Sequence, residues 1–184
     1  IGGLVFGSLL LIIGWCLDLV PGWYLVGGMV SIILGAVDDV RRVPWQVKLM
    51  VQLALATYIA TIFWGSFNTI TFYNYSFPVT QIFLLMVFLF WFIGIYNSVN
   101  LLDGLDGLAS GFMFLVCINA ALVGSGPFAQ LNFVLSILLL GFLVFNQRPA
   151  KIFMGDAGSL FLGFHVAVMP LLFVESMPFL TTLN

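Results

Sequence analysis

Seven apolar stretches dominate this chain, near residues 1–17, 23–37, 46–63, 79–96, 108–123, 131–146 and 158–174, and scarcely a charge interrupts them. A bilayer core about 30 Å thick needs roughly 20 apolar residues per helical crossing, within a range of about 17–25. Of the 184 residues, 62% are hydrophobic and only 7% charged. An average soluble domain carries about 25% charged residues, so this chain lacks the polar surface to cover a globule in water. The expected fold is an all-α polytopic transmembrane helix bundle of about seven spans, read as one domain over 1–184. Turn-forming punctuation supports the cuts: Pro21-Gly22, a polar Asn/Thr/Tyr loop from Gly65 to Pro78, and Gly124-Ser125-Gly126-Pro127. No internal repeat or low-complexity tract is visible.

Charge placement sets an orientation. With seven alternating spans, Arg41, Arg42, Lys48, Arg148 and Lys151 all fall on one side and no Lys or Arg on the other. The positive-inside rule makes the basic side cytoplasmic. Trp15, Trp23, Trp45 and Trp64 lie near span ends, as interfacial anchors do. The net charge of −2 argues against nucleic acid as a partner, which demands a basic footprint. Cys16 and Cys117 lie in apolar stretches and imply neither a disulfide nor a zinc framework. The opening IGGLVFG has no basic segment and no cleavage site, so it is not expected to act as a signal peptide.

Five of the seven acids, Asp38, Asp39, Asp103, Asp106 and Asp156, share the basic side and come from three loops. Ionisable groups hard against membrane spans are costly and usually functional. The first cluster is GAVDDVRRVPWQVKLMVQ. Asp38 and Asp39 end the second span, where the helix dipole disfavours carboxylates, so they need compensation from Arg41, Arg42, Lys48 or a metal cation. A solvated ion-pair cluster with the two arginines is the plainer alternative. Lys48 and Gln52 share a helix face, although Lys48 could simply snorkel.

The second cluster is NSVNLLDGLDGLASG. Asn97, Asn100, Asp103 and Asp106 recur every three residues and line one side if the helix runs on. Their hard oxygens suit Mg²⁺ better than a soft metal. A helix-terminating turn would explain the glycines but not four polar groups in register. The third is FNQRPAKIFMGDAGSLFLG. Asp156 stands at the start of the seventh span, where a helix dipole and N–H groups attract phosphate; the plainer alternative is a local N-cap. Asn146 and Phe153 could hold a nucleobase by hydrogen bond and stacking, with Arg148 and Lys151 adding positive charge nearby. The residues thus describe carboxylates for Mg²⁺ and cations for phosphate, between a soluble phosphorylated donor and a membrane-embedded acceptor.

These clusters resemble the polyprenyl-phosphate N-acetylhexosamine-1-phosphate transferases, glycosyltransferase family 4, through DDVRRVPWQVKLMVQ, NSVNLLDGLDGLASG and PAKIFMGDAGSLFLG in that order. The opening IGG resembles the Gly-Gly that starts a helix in that family. The resemblance implies an Mg²⁺-dependent enzyme of the cytoplasmic membrane, with Mn²⁺ as a substitute. Its site would face the cytoplasm and move a sugar-1-phosphate, GlcNAc-1-phosphate by the look of PAKIFMGDAGS, from a UDP-sugar to a polyprenyl phosphate such as undecaprenyl phosphate. That step starts cell-envelope polymers such as lipopolysaccharide O-antigen or teichoic acid. The phospho-N-acetylmuramoyl-pentapeptide transferases share most of the same residues, and a homodimer is compatible with the resemblance. The chain is expected to be a fragment without the family's N-terminal helix, later helices and histidine-rich loop.

Residue by residue, the resemblance gives Asp156 to Mg²⁺, with Asn100 at the metal and diphosphate, and Lys48 to the diphosphate. It places Asp106, Asn146 and Phe153 at the uracil, with Lys151 beside them, and Asp38 and Asp39 at the acceptor phosphate. Asp103 belongs to the same polar wall. His165 falls inside the seventh span and reads as a buried structural polar residue. Two other classes stay open. A transporter would place its acids near the bilayer midplane on both halves of a repeat, whereas here they crowd one face; the other is an inactive assembly partner.

Overall fold

The computed structural model describes residues 2–65, 69–72 and 75–175. The described residues include seven helices, α1 (Gly2–Cys16), α2 (Gly22–Val40), α3 (Trp45–Ile62), α4 (Gln81–Leu102), α5 (Leu108–Val123), α6 (Gly126–Asn146) and α7 (Gly155–Glu175). Five of them (α2, α3, α4, α6 and α7) are long and apolar enough to cross a membrane, and α1 and α5 are shorter apolar helices. Lipid offers no partner for backbone N–H and C=O groups, so runs this apolar satisfy themselves as helices.

Two compact units emerge, one of residues 1–43 and 95–184, the other of 44–94. The second holds α3, most of α4 and a short antiparallel hairpin between them, β1 (Thr69–Phe72) and β2 (Tyr75–Pro78), with Thr69 opposite Pro78 and Phe72 opposite Tyr75. The sequence reads as a polar loop there; the β-branched and aromatic residues of TITF and YSFP favour paired strands instead. Residues 66–68 and 73–74 of that stretch lie outside the described residues.

In the first unit α7 packs along α1 and α2, while α5 pairs with α6. From Ala157 to Leu162, and again at Phe164, His165, Ala167 and Val168, α7 is almost wholly buried. Other helices leave a large apolar face open, as at Ile12, Ile33, Leu122 and Ile137, which suits contact with lipid tails. Small residues let α7 sit this deep: a Cβ on Gly3 of α1 would lie 2.2 Å from the Cα of Gly158. Close backbone approach is how membrane helices gain packing energy when water no longer drives association.

One polar chain crosses this core. His165 of α7 lies 2.6 Å from the Tyr24 hydroxyl of α2 and 3.1 Å from the side-chain Oδ1 of Asn132 in α6. The Asn132 amide donates to the Phe128 carbonyl at 2.9 Å, which fixes its orientation. His165 therefore donates through Nε2 to Asn132 and accepts the Tyr24 proton at Nδ1. All three residues are buried and mutually satisfied, as the structural reading of His165 expects.

Candidate active site

The first helical turn of α7 organises the polar end of the first unit. Gly155 opens the helix with φ +72°, a left-handed conformation that a side chain would strain. Asp156 and Ala157 follow, and their N–H groups donate to Oδ1 and Oδ2 of Asp39 at 2.8 and 3.2 Å. Asp39 belongs to the last turn of α2. A carboxylate at that C-terminal end is disfavoured by its own helix dipole but favoured by the positive end of α7. The compensation that the sequence seeks for Asp39 in arginine, lysine or metal thus includes the α7 backbone. One alternative and one expectation are corrected with it. The α7 cap comes from Asp39, not locally from Asp156, which lies within the helix. The first N–H groups of α7 are also engaged by protein carboxylates instead of awaiting phosphate.

Gly35, one turn before Asp39, permits the approach: a Cβ there would stand 2.4 Å from the Ala157 nitrogen. On the other flank, Asn100 in the last turn of α4 donates from Nδ2 to Asp156 Oδ1 at 3.1 Å and to Ser159 Oγ at 2.7 Å. Asp156 is thereby fixed from two sides, its backbone by α2 and its carboxylate by α4. Ser159, fully buried, is a member of the site to which the sequence reading gives no side-chain role; its spacing of three from Asp156 puts both on one helical face.

α4 ends at Leu102, so the three-residue recurrence of Asn97, Asn100, Asp103 and Asp106 does not continue along one helix. Asp103 and Asp106 sit in the turn before α5. Asp103 is half-buried, and its carboxyl is pushed up to about 6 by burial and by the charges of Asp156 and Asp39, against a backbone hydrogen bond with Gly155 that works the other way. Asp39, Asn100, Asp103 and Asp156 are therefore one neighbourhood, with a local excess of negative charge.

A second group braces the loop into α7. Asn146, the buried last residue of α6, accepts the Ser110 hydroxyl at 2.7 Å and donates to the Ile152 carbonyl at 2.9 Å. Asp106 Oδ2 accepts the Ala150 N–H at 3.2 Å, and the Lys151 N–H reaches the Phe145 carbonyl at 2.8 Å. The α1 N-terminus closes the other side, with Gly2 and Gly3 donating to the Phe153 and Met154 carbonyls at 3.1 and 3.0 Å. The loop backbone is fixed while Lys151 and the Phe153 ring, 64% exposed, stand at the surface. Asn146 and Asp106 thus support the segment that displays Phe153.

Asp38 closes the turn after α2, its Oδ1 accepting the Val43 N–H at 2.5 Å. Lys48 is half-buried one turn into α3, in the second unit, with buried Gln52 one turn further along the same helix.

Among the described residues, no three carboxylate, thiol or imidazole groups converge closely enough to hold a metal by themselves. Mg²⁺ does not ask for that: it takes one or two carboxylates and completes its shell with water and substrate phosphates. Asp156, with Asn100 hydrogen-bonded to it and Asp103 nearby, fits such a partial donor set. Burial and charge crowding together raise Asp103, and the crowding is what a divalent cation would relieve.

The profile of glycosyl transferase family 4 matches residues 22–174, which takes in every acidic and amide side chain of this site. A probable undecaprenyl-phosphate N-acetylglucosaminyl 1-phosphate transferase of Bacillus subtilis is 38% identical over 152 residues, covering 80% of this chain and 42% of the relative. Phospho-N-acetylmuramoyl-pentapeptide-transferases of Streptococcus pyogenes and Lactobacillus johnsonii are 37% and 36% identical, over 79% and 88% of this chain and 48% and 57% of their own lengths. The chain spans about half the length of the curated relatives it matches. With six of the seven apolar helices and the polar ends of α2, α4 and α7 in the matched region, the chain belongs to glycosyl transferase family 4.

Proposed function

We propose that this multi-pass membrane chain is the catalytic part of an Mg²⁺-dependent transferase that moves GlcNAc-1-phosphate from UDP-GlcNAc to a polyprenyl phosphate such as undecaprenyl phosphate. The observation that carries this reading is Asp156, its backbone N–H held by the Asp39 carboxylate and its own carboxylate by the Asn100 amide, at the polar end of an apolar helix unit. The name of the Bacillus subtilis relative supports the donor and acceptor.

An oxygen of the lipid phosphate attacks the β-phosphorus of the UDP-sugar, a new P–O bond forms, the bond to the α-phosphate oxygen breaks, and UMP leaves. Such transfers depend chiefly on positioning and charge neutralisation. Asp156 and Asn100 would hold the cation, with Mn²⁺ as a substitute. When bound, Mg²⁺ supplies charge neutralisation at the diphosphate and the departing UMP. Asp38 serves the acceptor phosphate, and Phe153 stacks on uracil with Asp106, Asn146 and Lys151 around it. A phosphate monoester with a second pKa near 6 is largely dianionic at neutral pH, so the acceptor hardly needs a base. The five-to-zero split of Lys and Arg supports a site facing the cytoplasm from the cytoplasmic membrane.

The full-length protein, reconstituted with undecaprenyl phosphate and offered UDP-GlcNAc or UDP-N-acetylmuramoyl-pentapeptide, tests this reading. UMP and a lipid-linked GlcNAc diphosphate are expected from the first donor. Turnover of the muramoyl donor alone would move the protein to the other branch, and turnover of neither would refute the transferase reading.

A further inference from the structure

Asp39 is held in a way that the acceptor-phosphate role does not explain. Both of its oxygens accept backbone N–H groups from the first turn of α7, at 2.8 Å from Asp156 and 3.2 Å from Ala157. Two glycines clear the way. A Cβ on Gly155 would stand 2.7 Å from Asp39 Oδ2, and one on Gly35 would stand 2.3 Å from the Asp156 carbonyl oxygen. Gly155 also holds φ +72°, so its missing side chain serves both conformation and contact. A carboxylate that moved to bind or deprotonate a phosphate would abandon two charge-assisted bonds and leave the first N–H groups of α7 unpaired.

We infer that Asp39 is a positioning residue, an N-cap supplied by α2 in trans, which sets the first turn of α7 and through it the direction of the Asp156 carboxylate. The dipoles agree: the same charge that is disfavoured at the end of α2 is favoured at the start of α7. Asn100 fixes the Asp156 carboxylate itself, so backbone and side chain are held by different helices. The functional half of this inference rests on the reading of Asp156 as the metal ligand; the capping half does not.

The test uses the full-length protein with Asp39→Asn and Asp39→Ala, read by hydrogen exchange without metal and by kinetics against Mg²⁺. In Asp39→Ala, exchange in the peptide spanning Phe153 to Leu160 should rise about tenfold or more, as expected for losing charge-assisted hydrogen bonds, while the rest of α7 stays protected. The Asn variant keeps one acceptor oxygen for the Asp156 N–H. It should show a smaller rise and keep roughly a tenth or more of the activity, with Mg²⁺ half-saturation raised several-fold and kcat regained at high Mg²⁺. Donor KM should hardly move. Unchanged exchange at this turn in the variants would overturn the cap, and should the Ala variant not fold, the Asn variant decides. Normal Mg²⁺ half-saturation with activity abolished in both variants would overturn the positioning role and put Asp39 on a substrate. A wild type indifferent to Mg²⁺ would instead sink the metal reading of Asp156, with exchange alone then deciding the cap.

Discussion

Single side chains divide into those that build the site and those that it displays. Phe153 is displayed, its ring exposed on a loop whose backbone is tied to α1 and α6. Stacking of an aromatic ring on a base is worth roughly 1–3 kcal/mol, so Phe153→Ala should raise the UDP-sugar KM about ten- to a hundredfold and leave kcat less affected. Asp38→Asn should do the reverse, lowering kcat with little change in donor KM. Steady-state kinetics varying donor and lipid separately check both, and an unchanged donor KM would return Phe153 to a bilayer-anchoring role. The polar clusters themselves were legible in the sequence because charged and amide side chains are so few among these apolar spans. The pairing of Asp39 with the α7 N-terminus was not, because 117 positions separate Asp39 from Asp156. A sequence read locally offers Asp156 itself as the cap, and only packing reveals the carboxylate from another helix.

Among the elements, α7 is the axis of the first unit and tolerates least change. Gly3→Val would force a side chain into the Gly158 backbone, and overpacking of this kind costs about 1–3 kcal/mol or more. Thermal unfolding in detergent should show a clear loss for Gly3→Val and a smaller one for Gly3→Ala. Tyr24→Phe removes the donor to His165 and should cost roughly 0.6–2 kcal/mol of stability, the range for interhelical hydrogen bonds in membranes, while transfer kinetics stay within about twofold of wild type. A large loss of kcat without loss of stability would give His165 a role in the chemistry. The apolar lengths foretold all seven helices. The ends were foretold less well, since polar residues such as Asn97, Asn100 and Asp156 remain helical where α4 and α7 leave the apolar region. Hydropathy stops there although the hydrogen-bonded backbone continues.

For the whole molecule, orientation is the first requirement. Arg41, Arg42, Lys48, Arg148 and Lys151 fall on one side of the expected topology, so cysteines placed at Arg42 and Gln147 should be labelled only from inside intact cells, and one at Ser125 from outside. Labelling at Arg42 from outside would reverse the topology and take the cytoplasmic site with it. The proposed chemistry then turns on Asp156. Asp156→Asn removes a ligand charge while nearly preserving shape and the bond with Asn100. In the full-length protein, UMP release from UDP-GlcNAc should require both lipid phosphate and Mg²⁺. The variant should lose most of that activity, about a hundredfold or more if the charge is used in the transition state. Extra Mg²⁺ should restore it only partly, with thermal stability unchanged. An Asp156→Asn enzyme with wild-type turnover and normal Mg²⁺ dependence would contradict the metal site at the head of α7 and leave Asp156 a structural residue.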